Sequence, residues 1–158
     1  MSYTPLPIGI DDFADMIEKE YYYVDKTWFI KELLDKKGKV NLFIRPRRFG
    51  KTLNMSMLKC FFEVPEDGKS NRELFTGLKI MEAGERYTKE QEQYPVIMLT
   101  LKSAKQPDFA MAYASLIDDI GREYDRHNNV LQSAAISEAD KEKFIQIRDR
   151  KAERIDYA

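Results

Sequence analysis

Apolar residues recur at three- and four-residue spacing in four stretches of this chain, and each stretch predicts an amphipathic helix. The first is "DDFADMIEKE", where Phe13, Met16 and Ile17 share a face behind a cap at Asp11 or Asp12. The second follows Asp25 as its cap, carries Trp28, Phe29, Leu33 and Leu34, and stops at Gly38. A third begins at Lys51, with Leu53, Met57, Leu58, Phe61 and Phe62 in phase. The fourth runs from Phe109 to Tyr124 on Phe109, Tyr113, Leu116, Ile117 and Ile120. The tail from Ser137 to Ala158 reads as a charged helix, opened by a Ser137–Asp140 cap arrangement and holding only Phe144, Ile145, Ile147 and Ile155 as apolar contacts.

Two runs break the helical period. "VNLFI" (Val40 to Ile44) is short, β-branched and bounded by breakers, and "YPVIMLTL" (Tyr94 to Leu101) is almost continuously apolar. Both predict buried strands of the kind found in parallel sheets covered on two sides. Strand, turn, helix, strand, helix describes an α/β layer fold. Two strands are few for such a sheet, so the expectation is the front part of a longer protein. The expected division is a helical lead-in over 1–38, a core over 39–135 and a charged tail over 136–158.

Composition narrows the function. A length of 158 residues suits one domain, and 43% hydrophobic residues suffice for a core. The net charge of -1 supplies no global field toward nucleic acid or anionic membrane, so any anion recognition must be local. One cysteine, Cys60, excludes an intrachain disulfide and a thiolate metal cluster and points to a reducing, cytoplasmic setting. The N-terminus lacks a signal-peptide pattern, and no apolar run approaches the roughly 20 residues of a membrane helix.

The chemistry concentrates in "NLFIRPRRFGKTL", Asn41 to Leu53. A predicted strand leads through a basic turn into Gly50-Lys51-Thr52 and a helix, which is the context required of the phosphate-binding motif G-x-x-x-x-G-K-[ST]. In such a loop the backbone curls round a phosphate and the first N–H groups of the helix point at it. Lysine then supplies the charge for the β- and γ-phosphates, and the Ser/Thr hydroxyl ligates magnesium. Here Arg45 stands where the motif's first glycine would be, and a positive φ at that residue would cost on the order of 1 kcal/mol or more. Arg47 and Arg48 add guanidinium groups suited to phosphate. A solvated basic turn is the plainer alternative.

The stretches "YYYVDKTWFIKELL" and "NLFIRPRRFGKTLNMSMLKCFFE" resemble the predicted AAA-ATPase-like family of bacterial P-loop proteins, whose diverged Walker A reads RPRRFGKT. "LPIGIDDF" and "YPVIMLTL" add to the likeness, which covers about residues 5 to 125 in order. The resemblance implies an αβα sandwich of the P-loop NTPase type, here partial, with parallel strands and N-terminal helices. It also implies ATP and Mg2+ as ligands, held by Arg45, Arg47, Arg48, Phe49, Gly50, Lys51, Thr52 and Leu53, with Thr52 on the metal. A later Walker B strand ending in Asp-Glu, a downstream nuclease-like domain and a homo-oligomer belong to the same expectation. No apolar strand here ends in adjacent carboxylates, and Asp118-Asp119 falls in a helical pattern, so hydrolysis by this chain is expected to be poor or absent. The alternative is a non-hydrolysing regulatory module in which Arg45, Arg47, Arg48 and Lys51 hold a phosphate, a nucleic-acid backbone or a protein carboxylate.

Other candidates carry less. His127 lies at a polar helix end and reads as a lone surface histidine. Cys60 reads as a small core residue. Tyr21 to Tyr23, Trp28 and Phe29 could stack on a base, although aromatics at this spacing are more often core. The resemblance draws the polar triplet Asp25-Lys26-Thr27 toward the nucleotide, although a plain helix cap explains Asp25.

Overall fold

The computed structural model describes residues 4–46, 48–65 and 68–157. The chain divides into two units, Met1–Val96 and Ile97–Ala158, each packed on its own. In the first lie α1 (Phe13–Glu18), α2 (Trp28–Lys36), α3 (Lys51–Phe62), α4 (Lys79–Glu82) and α5 (Glu85–Thr88), with a 3-10 turn at Arg72–Phe75. Phe13, Ile30, Met57, Phe61, Phe75 and Ile80 are fully or almost fully buried and form the heart of its core.

Polar side chains position these short helices. Asp12 caps α1 by accepting from the Asp15 amide at 3.0 Å. Its second oxygen accepts from the Ser56 hydroxyl at 2.9 Å, and Ser56 Oγ accepts from the Phe13 amide at 3.0 Å. That relay ties the start of α1 to the middle of α3. Asp25 does a different job from the helix cap expected of it. Its Oδ1 accepts from the Thr27 amide and hydroxyl at 2.8 and 2.7 Å, and its Oδ2 accepts from the Lys79 amide at 2.8 Å. Thr27, fully buried, accepts in turn from the Ile80 amide at 3.1 Å. The pair therefore joins the start of α2 to the start of α4. The left-handed residue ending α2 is Lys37 rather than Gly38.

Glu92 acts similarly on the Ser70–Arg72 loop, accepting from the Ser70 hydroxyl, the Asn71 amide and the Arg72 guanidinium. Burial opposes ionisation of Asp25 and Glu92, but the donors aimed at them outweigh it and hold both carboxyls below their ordinary values of 3.8 and 4.5. A depressed folded-state pKa stabilises the fold above the unfolded value and loses that contribution as pH falls through the folded one. The melting temperature of the first unit should therefore drop as pH falls below about 4.5, and Asp25→Asn should flatten part of that drop. An unchanged profile in Asp25→Asn would remove this carboxylate from the account.

The α/β expectation is corrected. Among the described residues there is no β-strand or sheet, and the P-loop-type αβα sandwich with parallel strands is absent. Val40, Leu42 and Ile44 are 89, 81 and 73% exposed, and Ile97 and Leu101 are 70 and 73% exposed. Both runs are irregular rather than paired. One isolated parallel bridge, Glu63 to Tyr94, joins the end of α3 to the start of the second run. It is made by Val64 N–H to Tyr94 at 3.0 Å and Tyr94 N–H to Phe62 at 2.9 Å. The physical reason is that β-branched apolar runs express a local preference for extended backbone. A strand also needs a second strand pairing along its length, and among the described residues neither run forms such a ladder.

The second unit contains α6 (Phe109–Arg126), a 3-10 turn at Asn128–Gln132, α7 (Glu138–Arg148) and a final 3-10 turn at Arg154–Tyr157. Asp108 caps α6 on the Met111 amide at 2.9 Å, and Ser137 caps α7 on the Asp140 amide at 3.2 Å, as its sequence suggested. The tail is not one helix to its end, because Arg150 turns left-handed with φ 59°. That turn folds Arg150 back onto α6, where its guanidinium meets Asp125 at 3.1 Å and Asp118 at 3.3 Å. Gly121 permits this approach, since a Cβ there would stand 2.6 Å from the guanidinium. Tyr124 and Phe144, with ring centres 4.6 Å apart, and buried Ile147 complete the α6–α7 contact.

Candidate functional site

The turn from Arg45 to Gly50 ends where α3 begins. Gly50 is the residue before the helix and adopts φ 70°, a left-handed conformation that glycine takes without steric cost. A Cβ there would also stand 3.7 Å from the Lys26 ammonium. Arg45, whose φ was in question, is not left-handed. Arg48 is, at φ 65°, so the backbone strain lies three residues later than the motif comparison predicts. Arg47 lies outside the described residues.

Lys51, the first residue of α3, reaches back over this turn. Its ammonium donates to the Arg45 carbonyl at 2.6 Å and to the Pro46 carbonyl at 3.0 Å. Both bonds are solvent-exposed, and both hold the turn closed on itself. Such a lysine is a charge already positioned at the head of a helix, bonded to neutral carbonyls that an anion can replace. Arg45 donates to the Ile44 carbonyl at 2.9 Å, while the exposed Arg48 side chain has no hydrogen bond or ion pair among the described residues. Thr52 is half-buried, and its hydroxyl makes no hydrogen bond among the described residues. Leu53 is partly buried and packs against the core, so it anchors the helix start.

Beside this turn lies a cavity of about 650 Å³. Lys26, Arg45 and Lys51 line it together with Trp28, Phe43 and Phe49, and Glu32 contributes a carboxylate. The Asp25-Lys26-Thr27 triplet is thus split: its outer members build the α2–α4 junction, and its middle one faces the cavity. Of the aromatic residues expected in the core, Phe29 packs against it and also lines the cavity, while Trp28 is 40% exposed and faces the cavity. Phe49, expected at the phosphate loop, lines the same cavity at 60% exposure. Sequence spacing could not separate these fates, because both sides of α2 carry aromatic or aliphatic residues.

Fit to a divalent metal can be judged from the donors. Among the described residues no group of three or more His, Cys, Asp or Glu could hold a metal ion. A single free hydroxyl at Thr52 suits a Mg2+ that takes most of its oxygens from phosphate and water, the usual mode for this ion. Asp118 and Asp119 are engaged with Arg122, and Asp118 with Arg150 as well. The Cys60 thiol is pushed up to about 11, chiefly by burial, which removes it as a nucleophile at neutral pH. His127 is less exposed than a surface histidine, lying 3.9 Å from a Glu123 oxygen.

A family model described as "Predicted AAA-ATPase" matches residues 7–156. The chain belongs to this predicted AAA-ATPase family. It is also similar to a protein of Azotobacter chroococcum mcd 1 described as "Uncharacterized protein in vnfD 5'region", with 43% identity over 81 residues. That match spans 51% of this chain and 14% of the Azotobacter protein. No solved structure matches. No helix among the described residues is long and apolar enough to cross a membrane.

Proposed function

We propose that the turn from Arg45 to Thr52 is a nucleotide-phosphate site that binds ATP with Mg2+ through a diverged Walker A. The observation that carries this reading is the Lys51 ammonium at the head of α3, held over the turn by two replaceable carbonyl contacts. In this reading Lys51 moves from the Arg45 and Pro46 carbonyls to the β- and γ-phosphates, exchanging neutral acceptors for charged ones. The amides from Arg47 to Lys51 supply N–H donors, and the Arg45, Arg47 and Arg48 guanidinium groups add charge. Thr52 would hold the Mg2+, which supplies charge neutralisation on the phosphates. Membership of the predicted AAA-ATPase family supports the same ligand. A cytoplasmic setting suits this ligand, and a homo-oligomer is consistent with it.

The alternative is a basic turn that holds nucleic acid or a protein carboxylate without nucleotide. The discriminating experiment is calorimetric titration of the chain with MgATP and with duplex DNA at two salt concentrations. A saturable one-to-one site for MgATP, only weakly weakened by salt, is expected. Binding that prefers DNA and falls steeply with log salt, as counterion release requires, would refute the nucleotide reading.

A further inference from the structure

The cavity beside the turn holds more apolar surface than a phosphate site requires. Trp28 and Phe43 are 40 and 42% exposed, Phe49 is 60% and Met55 47%, and all four line this one cavity. They come from α2, the segment before the turn, the turn itself and α3, so their convergence is not a scatter of surface residues. Two of the rings are held in place by neighbours. Phe43 meets Phe29 edge-to-face with centres 4.7 Å apart, and Lys31 lies over the Trp28 ring at 5.4 Å.

We infer that this aromatic cavity seats the base of the bound nucleotide, making Trp28, Phe43 and Phe49 its specificity determinants. The inference rests on the phosphate reading above and adds where the base sits and which side chains select it, features that inorganic polyphosphate would not use. Its size fits, since about 650 Å³ lies in the range of small-ligand pockets. Its chemistry fits as well. Cations at Arg45, Lys26 and Lys51 share the cavity with π faces, which matches a ligand carrying phosphates at one end and a planar base at the other. Glu32 on the cavity wall offers an acceptor to ring or amino N–H groups and repels an extended polyanion.

The test uses the full chain and separates base from phosphate. Trp28 is the only tryptophan, so its fluorescence reports this cavity alone. MgATP should quench or shift the emission, and it should bind about tenfold or more tighter than magnesium tripolyphosphate, the loss typical of one base–aromatic contact. Trp28→Ala, read by calorimetry, should weaken MgATP about tenfold and leave tripolyphosphate unchanged. Phe43→Leu serves as a second variant and should also weaken MgATP selectively. Equal affinity for MgATP and tripolyphosphate overturns the base pocket while the phosphate site stands. A single-stranded oligonucleotide that displaces MgATP at lower concentration than ATP itself also overturns it. If neither MgATP nor tripolyphosphate binds, the phosphate reading falls and this inference with it.

Discussion

Lys51→Ala should weaken MgATP binding about a hundredfold, about 2.8 kcal/mol, while moving the thermal midpoint by less than the error of most melts. The size follows from what one ammonium does at a triphosphate. It makes charge-assisted hydrogen bonds, at about 1.5–3 kcal/mol for a bond to a charged partner. The small stability effect follows from exposure: Lys51 is a surface residue whose bonds to Arg45 and Pro46 are solvated. Those two bonds introduce a second contribution. Without the ammonium the turn is less tightly closed, and part of the lost affinity comes from ordering it again on binding. Lys51→Arg separates the two parts. It keeps the positive charge but replaces a compact ammonium by a broad fork, so intermediate affinity is expected. Unchanged affinity in Lys51→Ala would show that the anion is held elsewhere, with the exposed Arg48 as the next residue to substitute.

How far the sequence carried the reading differs from element to element. Helices with a full apolar stripe were legible, as α1, α3 and α6 illustrate, because the 3.6-residue period, and at α1 a capping Asp, depend on neighbours in sequence. The Arg45–Thr52 turn was legible as a candidate for the same reason: its spacing is local. What the residues did not reveal depends on partners distant in sequence. Val40 to Ile44 has strand composition, but composition cannot say whether another strand runs alongside. Asp25 looked like a helix cap because its partner Lys79 lies 54 residues away. A positive φ at Arg45 was weighed by analogy with the motif's glycine, whereas the left-handed residue of the turn is Arg48, a position that no local pattern marked. Trp28 was weighed as core, although the side chains that expose it to a cavity come from the turn and from α3.

Phe61→Ala should destabilise the first unit by about 3–5 kcal/mol, a large part of the roughly 5–15 kcal/mol that holds a domain together. Phe61 has no exposed surface and meets Phe62 and Phe75 edge-to-face, with ring centres 5.0 and 5.2 Å away. Phe75 stacks on Phe13 at 5.0 Å, so one truncation loosens a chain of rings joining α3, the Arg72–Phe75 turn and α1. The Phe61 carbonyl also accepts from the Glu92 amide at 2.9 Å, so relaxation of α3 around the cavity reaches the Glu92 anchor. Urea denaturation followed by near-ultraviolet circular dichroism of Trp28 measures the loss within this unit. Lys51 and Phe61 stand near opposite ends of the same 12-residue helix, and their substitutions should fail in opposite ways. Folded Phe61→Ala keeps its intrinsic affinity, so MgATP at about a hundred times its dissociation constant should restore about 2.7 kcal/mol by mass action. The same ligand concentration should restore little in the doubly substituted Lys51→Ala, Phe61→Ala chain. A cost below about 1 kcal/mol for Phe61→Ala would mean that this helical core is not what holds α3, and with it the turn, in solution.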